Sequence, residues 1–490
     1  MQGHQRRSRS PLPPSRSRQP QRMLCILALL FLAGCKVGPN YIRPPADVPR
    51  DYKENSNFRV AQPSDSIGKG AWWELYQDPQ LNSLEDQLAV SNLSLKAAQA
   101  RFDQARAAVR ISRSNLYPTA TGSLSISRTR RSTNAPLVSS TSAGTYNDFS
   151  IPVDASYEPD LWGRVRRTVE SSRSEAQATA ADLANVDLSL RAELALDYFA
   201  LRGLDSQKEL LDSTVVSYQK ALDLTQTRYR GGLASAVDVA QAQTQLETTR
   251  AQSIDVEVQR AQFEHAIAVL IGKPPATFSL APLPLTAPPP AIPPGLPSDL
   301  LERRPDIAAA ERRVQEANAN IGVARAAYYP TVTLSGGGGF ESASAGTLLQ
   351  GPAGFWSLAG QAAELLFDGG LRRGATEQAR AAYDQTVDNY RQTVLSAFQE
   401  VEDNLAALRI LEQEAQTQSG AVAAAEHSLS LSETRYRGGV TNYLEVTLAQ
   451  TAALSDEVTA VNLLSRRLSA SVLLIKAIGG GWSTSKLPHI

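Results

Sequence analysis

The residue types that most often bind metals or catalyse reactions are few in this chain and widely spaced. Its 490 residues include four histidines and two cysteines. His265, His427 and His489 are isolated, without the His-x-x-x-His spacing that puts two metal ligands on one helix face. The sequence also lacks a Gly-x-x-x-x-Gly-Lys-Ser/Thr phosphate loop. We therefore predict no enzymatic activity, no metal site and no bound cofactor.

Cys35 is the one thiol whose position predicts chemistry. It ends an apolar run, residues 24–34, which follows a segment with six arginines and no acidic residue. The run is about half of the roughly 20 apolar residues that a membrane-spanning helix needs. A basic segment, a short apolar segment and small residues at the exit are typical of a secretory signal peptide, here residues 1–34. Met23 is an alternative start, but it would leave the signal without its arginines.

Residues 32–35, Leu-Ala-Gly-Cys, resemble the lipobox of bacterial lipoproteins. The processing chemistry needs small residues before the cleaved bond and a thiol after it, because the thiol accepts a diacylglyceryl group before cleavage. The resemblance implies that mature Cys35 carries S-diacylglycerol and an N-acyl chain, and several acyl chains anchor a protein stably where one is marginal. Because Lys36 rather than Asp follows the cysteine, the resemblance also implies sorting to the outer membrane.

An internal duplication organises the rest of the chain. Residues 227–232, Thr-Arg-Tyr-Arg-Gly-Gly, recur as residues 434–439, and the Tyr-Pro-Thr of residues 117–119 recurs at 329–331. The proline-rich stretch between the copies reads as an extended linker. We predict a signal peptide at 1–34, a lipidated N-terminal segment at 35–79, repeat one at 80–273, a linker at 274–297, repeat two at 298–478 and a C-terminal tail at 479–490.

Two periodicities alternate within each repeat. From Leu81 to Val109 apolar residues recur every 3.5 positions, which predicts a coiled-coil helix. From Phe149 to Tyr157 apolar and polar residues alternate, which predicts a strand with one apolar and one polar face. We predict β-hairpins at about 119–158 and 331–367, and long helix pairs at about 163–271 and 370–478. A helix of roughly 65 residues would be about 100 Å long.

The predicted strands require more than one chain. Two hairpins supply four strands, whereas bacterial membrane barrels have at least eight, and an open sheet in lipid would leave its edges without hydrogen bonds. Three chains would give twelve strands. Two chains would give eight, a barrel so narrow that its own side chains would fill it. Gly336 to Gly339 fall in a predicted strand, where we expect them to permit close packing rather than phosphate binding.

Three segments resemble one family. They are Val37–Tyr41, the Trp72-Trp73 pair with 78–81, and residues 301–307, Leu-Glu-Arg-Arg-Pro-Asp-Ile. They resemble the outer-membrane factors of tripartite efflux pumps, of the TolC and OprM type, and within them the NodT lipoprotein subfamily. The resemblance implies an α+β membrane protein, a homotrimer with a twelve-stranded outer-membrane β-barrel continued by a long periplasmic α-helical barrel. An inner-membrane pump and a periplasmic adaptor would be its partners.

The helix reversals are the predicted tip of the helical barrel. The resemblance implies adaptor docking there, at Arg230, Gly231, Gly232, Arg437, Gly438 and Gly439. Glycine as a left-handed cap and arginine beside the negative helix end explain the same residues structurally. The resemblance also implies a pore gate just after the turns, formed by Asp238, Leu444, Glu445 and Leu448. Leu448 stands where the family usually has a carboxylate, and a solvated helix face is the alternative for each acid.

A lipid-anchored periplasmic coiled-coil adaptor or scaffold is the alternative function. It would share the lipobox and the long helices, but it would lack duplicated alternating strands that begin after Tyr-Pro. The strands therefore favour the channel. The overall charge balance of 49 basic and 49 acidic residues argues against nucleic-acid binding. Six of the basic residues belong to the export signal, so the mature chain is net acidic.

Overall fold

The computed structural model describes residues 36–54, 70–132, 144–292 and 297–490. Cys35 and the predicted signal peptide lie outside these residues. The helices are α1 (Pro79–Ser91), α2 (Leu93–Ser114), α3 (Arg164–Arg230), α4 (Ala236–Leu270), α5 (Pro305–Ala326), α6 (Leu371–Arg437) and α7 (Tyr443–Ala477). The strands are β1 (Thr119–Gly122), β2 (Ser125–Arg130), β3 (Thr145–Tyr157), β4 (Thr331–Ser342) and β5 (Gly354–Ala363). A single helical turn, Leu300–Arg303, precedes α5.

The described chain divides into two compact units. One contains the residues up to Tyr41 together with 108–172 and 316–383, and it holds the five strands. The other contains 42–107, 173–315 and 384–490, and its regular structure is helical.

The five strands form one antiparallel sheet in which β3, β4 and β5 are successive neighbours. β1 and β2 both pair with β3 in a single register, since Thr119 faces Ser156 and Ser125 faces Ser150. They are therefore two parts of one interrupted strand. The sequence predicted four unbroken strands, and the structure interrupts the first of them.

Pro152 of β3 accounts for the interruption. It faces the gap between β1 and β2, where its carbonyl oxygen accepts a hydrogen bond from the Ser123 amide at 3.1 Å. Proline has no N–H to donate in return, so the ladder fails there. On its other side Pro152 faces Gly339 of β4. A Cβ on Gly339 would lie 2.2 Å from the carbonyl oxygen of Ile151, so only glycine fits. Here the glycine run serves close strand packing.

The first coiled-coil seam is carried by two helices rather than one. α1 ends before Asn92 and α2 begins after it. The side-chain oxygen of Asn92 accepts from the Leu95 amide at 2.8 Å, and its Nδ2 donates to the carbonyl oxygen of Leu270 at 2.8 Å. Asn92 therefore caps a new helix and ties the break to the end of α4. The 3.5-residue pattern continues through the break and therefore does not predict it.

The long helices repeat closely between the two copies. α3 and α6 each have 67 residues, and α4 and α7 each have 35. Near the reversals the four helices share one buried apolar cluster, formed by Tyr218, Leu222, Ala242, Leu246, Tyr436, Tyr443 and Val446. Burial of this cluster is the tertiary packing that stabilises such long helices, because intrinsic helix propensity alone is weak.

In the described part of the chain α7 is the one helix long and apolar enough to cross a membrane by length and composition. Its Tyr443, Val446 and Leu463 are buried within the protein, and 39 % of its most apolar stretch is buried in all.

Two charged side chains, buried Asp205 and largely buried Arg260, bind part of the proline-rich connection between the copies. Arg260 donates from Nε to Asp205 and from Nη2 to the carbonyl oxygen of Leu280, each at 2.7 Å. Asp205 in turn accepts from the amide of Leu283 at 2.9 Å. An extended segment has no helix or sheet partners for its backbone groups, so these side chains supply them.

Candidate functional site

One face of the sheet is apolar and uncovered in the described chain. Directly opposite residues of neighbouring strands share a face, so the strand register defines this apolar face. Trp356 and Leu358 on it are 79 % and 80 % exposed. An uncovered apolar patch of this kind marks contact with a membrane or another protein. The apolar side chains of this face include Ile126, Phe149, Ile151, Val153, Ala155, Leu334, Phe340, Trp356 and Leu358. At the turn end of the β2–β3 pair the same face carries Arg128, Arg130 and Asn147.

The opposite face is mostly polar, with Pro152, Phe355, Ala359 and Ala363 as apolar exceptions. Its members are short and hydrophilic: Thr121, Ser125, Ser127, Asp148, Ser150, Asp154, Ser335, Glu341, Ser357 and Gln361. Alternation of an apolar and a polar face across a whole sheet is the pattern of strands that have lipid on one side and water on the other. The sequence predicted this alternation cleanly for β3 and less cleanly for the second hairpin.

Both outer strands of the sheet have a free edge in the described chain. β5 pairs only with β4, and the β1/β2 strand pairs only with β3. The exposed edges therefore carry backbone N–H and C=O groups without a partner strand. Such edges pair with another chain in water and cannot remain open in lipid.

An aromatic pair lies at one end of the strands. Trp162 stacks on Tyr329 with ring centroids 4.9 Å apart, and its Nε1 donates to the carbonyl oxygen of Pro330 at 2.7 Å. Tyr117, which precedes β1, is largely exposed. Tryptophan and tyrosine favour the membrane–water interface, where the ring is apolar and the polar atom can hydrogen-bond.

The two helix reversals have the same backbone geometry. In the first, the Leu233 amide donates to the carbonyl oxygen of Arg228 at 2.8 Å and the Gly232 amide to that of Tyr229 at 2.9 Å. Gly232 has φ of 74° and Gly439, its counterpart, has φ of 71°. Both turns are therefore Schellman caps, in which glycine alone is unstrained. The apolar residue after each glycine stays exposed instead of packing on its helix.

The two acids that the sequence placed at a gate have different local partners. Asp238 forms a capping box with Ser235: its Oδ2 accepts from the Ser235 amide at 2.8 Å, and the Ser235 hydroxyl accepts from the Asp238 amide at 3.1 Å. In repeat two Asn442 occupies the cap and makes no side-chain cap bond. Glu445 instead lies 3.8 Å from Nη1 of Arg435 across the turn, with both side chains about half exposed.

The other predicted turn residues are exposed. Leu448 is 63 % exposed and Leu444 is nearly half exposed. Arg437 pairs with Glu433 on its own helix at 3.0 Å, and Arg230 donates to Thr227. These exposed side chains are available for contacts outside the described chain.

Sequence reasoning missed Arg228, which links the two reversals. Its Nη1 donates to the carbonyl oxygen of Arg437 at 3.0 Å, and its guanidinium lies 4.8 Å from the ring centroid of Tyr436. Arg435 occupies the equivalent position in repeat two but pairs with Glu445. The duplicated Thr-Arg-Tyr-Arg-Gly-Gly showed both arginines and gave no sign that they have different partners.

Among the described residues, no group of three or more His, Cys, Asp or Glu side chains is close enough to hold a metal ion. Cys35, the predicted lipidation site, lies outside the described residues.

The comparisons with known proteins agree with this arrangement. The family model described as outer membrane efflux protein matches residues 84–273 and 296–480. The toluene efflux pump outer membrane protein TtgF of Pseudomonas putida is 33 % identical over 466 residues, 94 % of this chain and 96 % of that protein. The CmeC outer membrane channel of Campylobacter jejuni has a TM-score of 0.86 at 26 % identity, covering 92 % of this chain and 96 % of that one. The outer-membrane channel OprN has a TM-score of 0.85 at 29 % identity, covering 91 % of this chain and 100 % of that one.

Proposed function

Because this chain belongs to the outer membrane efflux protein family, we propose that it is the outer-membrane channel of a tripartite efflux system. It would be a passive exit duct for small molecules that an inner-membrane pump and a periplasmic adaptor pass on. The observation that carries the proposal is the sheet, with an uncovered apolar face, a polar opposite face and two free edges. A periplasmic scaffold is surrounded by water and would not need a sheet with an exposed apolar face and open edges.

The free edges support a homotrimer. One chain supplies four strand positions, and only pairing between chains can satisfy the edges in lipid. Three copies would close a twelve-stranded barrel with the apolar face outward and the polar face toward the lumen. The long helices of the three copies would form the periplasmic helical barrel.

Lipidation of Cys35 remains part of the proposal. The supporting observation is the position of the thiol after a short apolar run with small residues before it. S-diacylglycerol and an N-acyl chain on Cys35 would then anchor the mature N-terminus in the outer membrane. We expect Cys35→Ala to abolish labelling by radioactive palmitate without necessarily preventing trimer assembly.

The helix reversals are the proposed tip of the duct. Arg230, Gly231, Gly232, Arg437, Gly438 and Gly439 would form the docking turns for the adaptor, supported by the exposed apolar residue that follows each Schellman cap. Asp238, Leu444, Glu445 and Leu448 would narrow the pore, each as a ring of three. Asp238 is held in the capping box of its own helix, whereas Glu445 lies near Arg435 across the turn.

Conductance of the purified oligomer tests the function directly. We expect discrete conductance steps in planar bilayers and a detergent-corrected mass three times that of the mature protomer. A Leu358→Asp variant, which puts a charge on the apolar face, should fail to insert and should conduct nothing. A monomeric, non-conducting wild-type preparation would contradict the channel and favour the scaffold.

A further inference from the structure

The first described residues of the chain form a strap, Lys36–Asn40, that is bound along its whole length. The Val37 amide donates to the carbonyl oxygen of Trp162 at 3.1 Å. Asn318 of α5 donates from Nδ2 to the carbonyl oxygen of Pro39 at 3.1 Å. An extended N-terminal segment is normally poorly ordered unless something ties it down. Here both repeats provide partners, Trp162 from the first and Asn318 from the second.

Arg167, in the first turn of α3, contacts the strap at more points than any other described residue does. It is 1 % exposed. Its Nε donates to the carbonyl oxygen of Val37 at 3.1 Å, and its Nη2 donates to the carbonyl oxygen of Gly38 at 3.2 Å. Its Nη1 pairs with Glu170 at 3.0 Å, and the same carboxylate oxygen pairs with Lys36 at 2.6 Å. A guanidinium reaches several acceptors at once because its donors form a rigid planar fork.

Glycine makes the close approach of the strap possible. Gly38 has φ of 100°, and a Cβ there would lie 2.5 Å from the Cα of Gly322 in α5. A Cβ on Gly322 would in turn lie 2.8 Å from Nε of Arg167. Neither glycine can be replaced while the strap stays seated. The sequence Val-Gly-Pro-Asn therefore fits one groove, lined by Arg167, Asn318 and Gly322.

We propose that this strap fixes the lipid-bearing N-terminus at the aromatic end of the strands, and that Arg167 is the positioning residue. The inference rests on the proposed lipidation of Cys35, the residue before Lys36. Consecutive α-carbons are about 3.8 Å apart, so the acyl chains must start within a few ångströms of Lys36. The Val37 amide donates a hydrogen bond to the carbonyl oxygen of Trp162, and the ring of Trp162 stacks on Tyr329. A lipid on Cys35 would therefore start close to these aromatic residues instead of on a free tether.

Hydrogen–deuterium exchange of the full-length protein tests the seating of the strap. We expect the Val37 amide, which donates to the carbonyl oxygen of Trp162, to be protected in the wild type. It should exchange at least about tenfold faster in Arg167→Lys, which keeps the charge but loses the fork. Arg164→Lys is the matched control, because Arg164 lies in the same helical turn but pairs with Glu158. Gly38→Ala should release the strap by a second route. Equal, fast exchange in the wild type and in all three variants would overturn the proposal.

A photoreactive lipid tests where the anchor lies. Cells grown with a diazirine-bearing palmitate should incorporate it at Cys35, and illumination should cross-link the acyl chain to peptides containing Trp162 or Tyr329. In Arg167→Lys the cross-links should spread over other peptides, whereas in Arg164→Lys they should not. Cross-links that are equally spread in the wild type would overturn the positioning role. No label on Cys35 would overturn the anchor, whereas the exchange experiment and the conductance would still report separately on the strap and on the channel.

Discussion

Glu85 of α1 is the most unfavourably placed charge in the described chain. It is completely buried, its Oε1 has no hydrogen-bond partner there, and Arg191 reaches its Oε2 at 3.3 Å. Burial outweighs this arginine and raises the pKa of Glu85 to about 8. Between about pH 4.5 and 8 the unfolded chain therefore loses a proton that the folded chain keeps. Folding stability contributed by Glu85 falls as the pH rises through this window.

Replacing Glu85 by Gln should remove this pH dependence. Wild-type stability should fall by up to about 1.4 kcal/mol per pH unit across the window, and the variant's should stay flatter and exceed it above pH 8. The melting temperature of the detergent-solubilised protein at pH 5, 6.5 and 8.5 measures the difference. Exposed Asp103→Asn serves as the control and should keep the wild-type slope. If the stability of Glu85→Gln depended on pH as strongly as that of the wild type, a group other than Glu85 would be responsible for the pH dependence.

Glu445 and Asp238 provide a matched pair for testing the gate. An exposed ion pair contributes about 0–1 kcal/mol, so loss of the Arg435 contact in Glu445→Gln should shift the ratio of open to closed states by up to about fivefold. Asp238→Asn keeps an oxygen for the capping box and removes the charge, so we expect a smaller change in the open probability measured in planar bilayers. An open probability in Glu445→Gln equal to that of the wild type would mean that this acid is a solvated side chain with no part in the gate.

The sequence revealed these residues but not their partners. The duplicated turn located Asp238 and Glu445 at matching positions, because glycine and arginine at a helix end have a local signature. Their different partners depend on Ser235 against Asn442 at the cap and on Arg228 reaching across to the other reversal. The effect of a different capping residue can be recognised only once the fold is known. A contact between residues 209 positions apart leaves no local pattern in the sequence.

At the scale of elements, periodicity carried most of the prediction. The heptad spacing and the alternation both reflect burial, which repeats with the geometry of the helix or the strand. The helices and strands could therefore be predicted from the sequence. The two interruptions could not. Asn92 breaks the first helix through a bond to the carbonyl oxygen of Leu270, and Pro152 breaks the first strand from across the sheet. Each depends on a partner distant in sequence, which a local pattern cannot register.

Gly339→Ala tests the close approach of β3 and β4. The added methyl would meet the carbonyl oxygen of Ile151 at 2.2 Å, so the strands would have to separate or lose a hydrogen bond. We expect a loss of about 1–3 kcal/mol per chain, read as a lower temperature for dissociation of the oligomer on a semi-native gel. Gly351→Ala, where a Cβ meets nothing within 4 Å, is the matched control. Equal dissociation temperatures would mean that the backbones can move apart freely.

At the scale of the whole molecule, the duplication predicts how one copy meets the next. Thr119 and Thr331 follow the two Tyr-Pro pairs and face Ser156 and Ala363 in their hairpins. Ser156 and Ala363 are therefore equivalent positions. Between the hairpins of one chain Ser156 faces Ser335, whose equivalent in repeat one is Ser123. If the seam between chains repeats the seam within the chain, Ala363 of one copy faces Ser123 of the next.

The same register puts Ala359 of one copy opposite Ser127 of the next, both on the polar face. Opposite residues have α-carbons about 4.5–5.5 Å apart, within the reach of a disulfide, whereas residues displaced by two are about 7–8 Å apart. Ala359→Cys with Ser127→Cys should therefore oxidise readily, and Ala359→Cys with Ser125→Cys should not. Closure by three chains should give a covalent trimer on a non-reducing gel, because every seam carries one bond. Accumulation of dimers alone would indicate an eight-stranded barrel, and faster oxidation of the displaced pair would show that the two seams differ in register.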